Sequence, residues 1–237
     1  MMDQPARLEE GVILKRYKRF FLDVRLKDGR EVTAHCPNPG ALPGLCDPGL
    51  PVFLAPATGG KLAWRWELVR PPQGLVAINT MRPNGIVHEA ITAGRIAELA
   101  GYDSIRREVR YGERSRIDLL LESPDRPPCY LEVKNVNFRR PPDPSLWFPD
   151  CVSARAAKHM AQLAQEVRAG HRAVVLFLAQ RMDGQDFRVA RDIDPAYGEA
   201  FDAARAAGVE ALCYDCHVTL AATTVRGPVP VRESVGS

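Results

Sequence analysis

Along the first 80 residues apolar and polar positions alternate in short runs, the period-two pattern of half-buried strands. Strands are predicted at Val12–Tyr17, Phe20–Lys27, Glu31–Cys36, Pro51–Ala55, Leu62–Arg70 and Leu75–Asn79. Asp28-Gly29, a Pro/Gly-rich stretch over 37–49, Gly59-Gly60 and Pro71-Pro72-Gln73-Gly74 separate them. Asp-Gly between alternating runs is a strong hairpin signal. Five or six short strands in this span fit a small closed barrel, with the OB type as the natural candidate.

From Asn84 the spacing lengthens to that of a helix, expected to run to Ala100 with Gly101 in the C′ position. Strands follow at Ile105–Tyr111, Arg116–Glu122 and Cys129–Val136, then a Pro-rich loop over 137–150 that directly follows the last of them. A helix capped by Ser153 is stopped by Gly170, and the strand Arg172–Gln180 carries an apolar Val-Val-Leu-Phe-Leu run suited to burial on both faces. Asp194-Pro195 opens another helix ending before Gly208, and Val209–Val218 and Thr219–Val225 close as strands. This order implies a mixed sheet covered by helices. The expected division is an all-β front module over 1–82 and an α/β domain over 83–237.

The 237 residues are 46% hydrophobic and 26% charged, the balance of an ordinary globular chain. The longest apolar run, Ala173–Ala179, is far short of the ~20 residues of a bilayer span. The polar N-terminus has no apolar core of a secretory signal, so the expected location is the cytoplasm. The net charge of +3 is unevenly spread: residues 1–82 hold 12 Lys and Arg against 8 Asp and Glu, and the rest holds 20 against 21. The basic excess therefore belongs to the front module, which suits contact with a polyanion. Arg outnumbers Lys by 26 to 6, so a lysine outside the front third stands out.

The richest chemistry lies in Arg116–Glu122 and Cys129–Asn135. Glu132 and Lys134 are two apart and project from one strand face with Tyr130 and Val136, while Leu131 and Val133 point the other way. A short turn makes the two strands a hairpin, and its register brings Asp118 beside Glu132 to within about one residue. Two carboxylates and a lysine on one sheet face form a hard-oxygen site for Mg2+ or Mn2+, with a cation to orient attacking water beside a phosphate. The competing reading is a surface strand with a cross-strand ion pair worth well under about 1 kcal/mol. Buried carboxylates need a partner or an ion, which favours the metal site.

Glu89 falls at helical spacing from Ile86 and Ala93, near the inner face of its helix. Lys158 and His159 lie on the helix after the Pro-rich loop, where Lys158 can reach phosphate; for His159 a solvated face is the expectation. In the front module, Lys15, Arg16, Lys18 and Arg19 surround Tyr17, and Arg65 lies between Trp64 and Trp66: cations for phosphates and rings for stacking. The two tryptophans share a strand face and are expected to fill the barrel. His35, Cys36 and Asn38 offer too few ligands for zinc and read as loop packing. Cys213-Tyr214-Asp215-Cys216-His217 matches the haem-attachment spacing, but strand alternation puts the two thiols on opposite faces and argues against haem or zinc. Free thiols are expected throughout.

The D…(D/E)-x-K pattern, on the second strand of a hairpin behind a helix, resembles the PD-(D/E)xK nuclease superfamily. In that superfamily a helix-borne Glu adds a metal or water contact, which the resemblance assigns to Glu89. More specifically, RYKRFFLDV (16–24), AHCPNPG (34–40), GYDSIRREVRYGERSRIDLLLE (101–122), PPCYLEVKNV (127–136), FPD (148–150) and GHRAVVLF (170–177) resemble the sugar fermentation stimulation protein family. That resemblance implies an OB-like domain joined to a nuclease-like domain, and nucleic-acid binding. It differs here in Pro39 and Ala41, where the family carries Thr and Ser, and in Ala157, where it carries Gln. The resulting expectation is a DNA-binding rather than RNA-binding protein that hydrolyses phosphodiesters with Mg2+ or Mn2+. Its rival is a DNA-binding regulator of sugar metabolism without turnover.

Overall fold

A computed structural model describes residues 2–5, 7–111 and 115–232. The front module contains β2 (Glu9–Tyr17), β3 (Phe21–Leu26), β4 (Glu31–His35), β5 (Pro51–Pro56), β6 (Trp64–Val69) and β7 (Val76–Ala77), preceded by β1 (Met2–Asp3). Antiparallel pairing joins β4-β3-β2-β5-β6-β7, and a parallel β4–β6 pairing closes β2 to β6 into a five-stranded barrel. That closure, parallel between the third and fifth barrel strands, is OB topology. Ile13, Leu22, Val24, Leu54 and Trp66 fill its interior with Trp64 against them, as the shared strand face of the tryptophans predicts. Asp28-Gly29 makes the expected turn between β3 and β4, with Gly29 at φ 87°. The β2–β3 turn is less obvious: Lys18 and Arg19 both take left-handed backbone, at φ 48° and 63°.

The second sheet is built from β8 (Ser104–Tyr111), β9 (Ser115–Ser123), β10 (Arg126–Val136), β13 (Arg172–Ala179), β15 (Glu210–Val218) and β16 (Ala222–Pro228). Its order is β1-β16-β15-β13-β10-β9-β8, mixed because β13 runs parallel to both β10 and β15. The first strand thus belongs to the second sheet, Met2 pairing with Thr223, and not to the front module as expected. α1 (Pro83–Thr92) packs on one face through Ile86, Val87 and Ala90. α2 (Ala154–Arg168) and α3 (Pro195–Ala206) cover the other through Met160, Leu163 and Phe201. Cys213 and Cys216 fall in these two opposite cores, both buried and free, which removes any haem clip.

Two elements depart from the sequence reading. α1 ends at Thr92, followed by a short 3-10 turn at Ala97–Leu99. Gly94 supplies the left-handed stop at φ 68°, with Arg95 N–H donating to Ala90 O and Gly94 N–H to Ile91 O. That is a Schellman cap, so Gly94 and not Gly101 is the C′ residue. The Pro-rich stretch after β10 is also partly ordered: β11 (Phe138–Arg139), β12 (Leu146–Phe148) and β14 (Phe187–Val189) form a small sheet. Leu146 is buried there against Gly184, where any Cβ would clash with it.

The barrel is seated on the second sheet through side-chain amides. Asn137 Nδ2 donates to Ala77 O at 2.8 Å, and its Oδ1 accepts from Asn38 Nδ2 at 3.0 Å and from Asn135 Nδ2 at 2.5 Å. Gln180 Nε2 completes the chain to Asn135 Oδ1 at 2.8 Å. Across the same joint Phe53, Leu68 and Ala77 of the barrel share a core with Leu131 and Leu178 of the sheet. Asp150 accepts from Leu42 N–H at 3.1 Å and lies so close over Gly40 that no side chain fits there. Among the described residues no helix is long and apolar enough to cross a membrane.

Candidate active site

Strand β9 pairs with β10 through Leu121–Cys129, Leu120–Tyr130 and Leu119–Leu131, so the next rung sets Asp118 opposite Glu132. The register left open by one residue in the sequence is therefore the one that joins the carboxylates. Asp118 Oδ2 accepts from Val133 N–H and its Oδ1 from Asn84 Nδ2, both at 2.8 Å. These are neutral donors. Burial, then the negative charge of Glu132, outweigh them and push the pKa of Asp118 up to about 6.

Glu132 is 3% exposed. Its Oε1 accepts from Lys134 Nζ at 2.8 Å and from His159 Nδ1, which is closer still. Arg155 Nε, a donor only, contacts His159 Nε2 at 3.3 Å. Nε2 must therefore be the acceptor, which assigns the proton to Nδ1 and makes His159 a donor to Glu132. Lys134 Nζ, 3.3 Å from that same Nδ1, is then a close neighbour and not its hydrogen-bond donor. Burial alone would raise the pKa of Glu132, but His159 and Lys134 together hold it below the ordinary carboxylate range. The other oxygen, Oε2, is buried without a hydrogen-bond partner among the described residues. A buried carboxylate oxygen facing no donor, beside an Asp served only by neutral ones, is chemically suited to a hard divalent cation. No three His, Cys, Asp or Glu side chains among the described residues are gathered tightly enough to enclose one by themselves.

His159 reverses the expectation of a solvated face: it is 8% exposed and turned inward with Ala156, Met160 and Leu163. The signal was present, since 156, 159, 160 and 163 share one helical face. Lys158, the next residue back, is exposed as expected. Glu89 is not brought to Asp118. It lines a small cavity with Arg95, Thr223 and Thr224 beside β16, which three intervening strands separate from β9. The residue α1 does offer is Asn84, in its first turn, and nothing in the helical spacing singled it out. Tyr111 was likewise missed: its hydroxyl is buried, without a hydrogen-bond partner among the described residues, and its pKa is raised by burial and by the nearby Glu132 and Asp118 charges.

Two of the front-module cations are structural. Arg16 donates to Arg19 O (3.1 and 2.9 Å), Asn38 O (2.8 Å), Gly40 O (2.8 Å) and Ala41 O (3.1 Å), tying the β2–β3 turn to the loop after β4. Arg65 is paired with Glu67, whose side chain is fully buried between it, Asn79 and Arg82. Arg65→Ala is therefore expected to lower stability by about 2–3 kcal/mol, because it strips a buried carboxylate of a charged partner. Urea denaturation checks this; a loss below about 0.5 kcal/mol, the scale of a surface change, would contradict it. Lys18 and Arg19 are exposed at the turn, and Lys15 lies over the Tyr17 ring at 5.2 Å, with only a long contact to Asp23 at 3.9 Å.

Comparison with known proteins agrees with this architecture. Residues 14–78 match the family model for the SfsA N-terminal OB domain, and residues 81–222 match that for the Sugar fermentation stimulation protein RE domain. The chain belongs to the sugar fermentation stimulation protein family. It is 53% identical over 233 residues to the Sugar fermentation stimulation protein homolog of Azorhizobium caulinodans, covering 96% of this chain and 98% of that one. It is 54% identical over 217 residues to the homolog of Paramagnetospirillum magneticum, covering 90% of each. It is also similar to the solved structure of Pyrococcus furiosus SfsA in complex with Ca2+, with a TM-score of 0.87 and 28% identity over 98% of this chain and 100% of that one.

Proposed function

We propose that the protein is a divalent-metal-dependent nuclease, acting on DNA rather than RNA, with Asp118 and Glu132 as the metal-holding acids. The observation that carries this reading is the pairing of these two carboxylates beside Lys134, with Glu132 Oε2 buried and lacking a donor. The related Pyrococcus furiosus protein holds Ca2+, a cation of the same hard, oxygen-seeking class. When bound, Mg2+ or Mn2+ would polarise a phosphoryl oxygen and offset the charge that builds up on it.

The remaining work falls to side chains of this chain. Lys134 supplies a fixed positive charge beside Glu132, where the non-bridging oxygens of a phosphodiester would lie, and orients the attacking water. His159 donates to Glu132 Oε1, so that carboxylate is oriented before substrate arrives. Asn84 does the same for Asp118. For the nucleic acid, Lys15, Lys18 and Arg19 offer phosphate contacts on the barrel and Lys158 on α2, while Arg16 and Arg65 act through the fold.

A basic surface that the sequence reading passed over supports the same partner. On β8 and β9, Arg107, Arg110 and Arg116 make no side-chain ion pair with any other described residue, and Arg110 stands directly across from Arg116. Like charges opposed across strands are unfavourable on their own and are relieved by a polyanion.

The test is cleavage of end-labelled single- and double-stranded DNA and RNA with Mg2+ or Mn2+, using EDTA as the blank. Metal-dependent cutting, strongest on DNA, is the expected result. Tight binding without cutting under any of these conditions would overturn the catalytic reading in favour of a DNA-binding regulator on a nuclease-like scaffold.

A further inference from the structure

We infer that Glu108 is a third acidic ligand of this site, holding the divalent cation together with Asp118. The inference rests on the nuclease reading above and gives the site a residue that neither the motif nor the family resemblance assigned. Its starting point is register. Arg107 pairs with Leu119 and Val109 with Ile117, so Glu108 stands opposite Asp118, just as Asp118 stands opposite Glu132 on its other side. Three carboxylates thus occupy one rung across β8, β9 and β10.

Such a rung is unfavourable without a cation, because like charges directly across strands repel. Lys134 offsets Glu132 only. Asp118 has neutral donors, and Glu108 makes no ion pair among the described residues. One amide spans the two outer acids: Asn84 Nδ2 lies 2.8 Å from Asp118 Oδ1 and 3.5 Å from Glu108 Oε1. Independently, Glu132 Oε2 on the same rung is buried without a donor, the mark of an oxygen waiting for a cation.

The backbone points the same way. Glu108 takes φ 54° in the middle of a strand, a conformation strained for any residue with a Cβ. Glycine or asparagine would adopt it more easily, so the glutamate is there for its side chain. That side chain is exposed and flexible, so gathering it with Asp118 around a cation needs only rotation about its own bonds. In this arrangement Glu108 fills the position that the superfamily pattern gives to a helix-borne acid, and Glu89 stays outside it.

The experiment is isothermal titration of Mn2+ alone into the full chain, for wild type, Glu108→Gln, Glu108→Gly and Glu89→Gln. Glu108→Gln is expected to weaken Mn2+ binding about 10-fold or more. Glu108→Gly should lose as much affinity while its melting temperature rises, since the strain is relieved; a folding defect could not produce that combination. Glu89→Gln should bind as wild type. Wild-type affinity in both Glu108 variants would overturn the inference and leave the nuclease reading standing. A wild-type chain that takes up no Mn2+ would bring down both.

Discussion

Lys134→Ala is expected to reduce metal-dependent cleavage by about 10²-fold or more, the scale of removing one preorganised charge from a site of developing negative charge. The lysine is well placed for that role: its side chain is 11% exposed and its Nζ is held 2.8 Å from Glu132. It is one of only two lysines outside the first 82 residues of an Arg-rich chain, and no arginine could put so compact a cation at that point. The measurement is single-turnover cleavage at saturating enzyme, which separates the chemical step from weakened binding. Because the substitution also removes a partner of buried Glu132, Lys134→Met is the matched variant that keeps the aliphatic packing. Cleavage by Lys134→Met within about threefold of wild type would remove the lysine from the mechanism and leave it as a partner of Glu132.

Asp118→Asn is expected to do two opposite things at once. It should abolish Mn2+ binding and raise the stability of the metal-free protein. The sign follows from linkage. A carboxyl whose folded pKa is about 6, above its ordinary 3.8, favours folding at low pH, and that contribution is lost as pH rises between the two values. At pH 8 the wild type carries the whole penalty, and neutral Asn carries none. Asn84 can turn its amide to keep the hydrogen bond. The expected gain is roughly 2–3 kcal/mol by urea denaturation at pH 8 in EDTA, vanishing near pH 4. Excess Mn2+ should reverse the order, stabilising the wild type alone by about 2.7 kcal/mol at a hundred times its Kd. A destabilised Asp118→Asn in EDTA at pH 8 would mean that the aspartate is chiefly a structural acceptor for Val133 and Asn84.

What the chain revealed on its own follows from which forces are local. Hairpin turns such as Asp28-Gly29, caps such as Ser153 and Asp194, and the apolar run of β13 depend on neighbours a few residues away, and they were legible. So were the OB barrel, the pairing of Asp118 with Glu132, and the burial of Trp66. Long-range choices were not. Nothing around Met2 or Asp3 announces a partner more than 200 residues on, and β12 finds β14 only because Leu146 has Gly184 to pack against. Arg16 and Arg65 look like phosphate ligands in a string of letters, since carbonyl oxygens and a buried Glu67 leave no pattern in the sequence. Glu89 was favoured by helical spacing, which reports the face of a helix and not the strand below it. Glu108 was hidden by its own strand, where alternation says nothing about a left-handed residue.

The chain of amides from Gln180 through Asn135 and Asn137 to Asn38 joins the barrel rigidly to the strand that carries Lys134. On the proposed reading the two surfaces act as the ends of a ruler. A strand gripped at the barrel rim would meet the cutting residues at a constant distance along its length, so the fragments released should be evenly spaced. Loosening the joint, for example with Asn137→Ala, would blur that spacing before it slowed the cut.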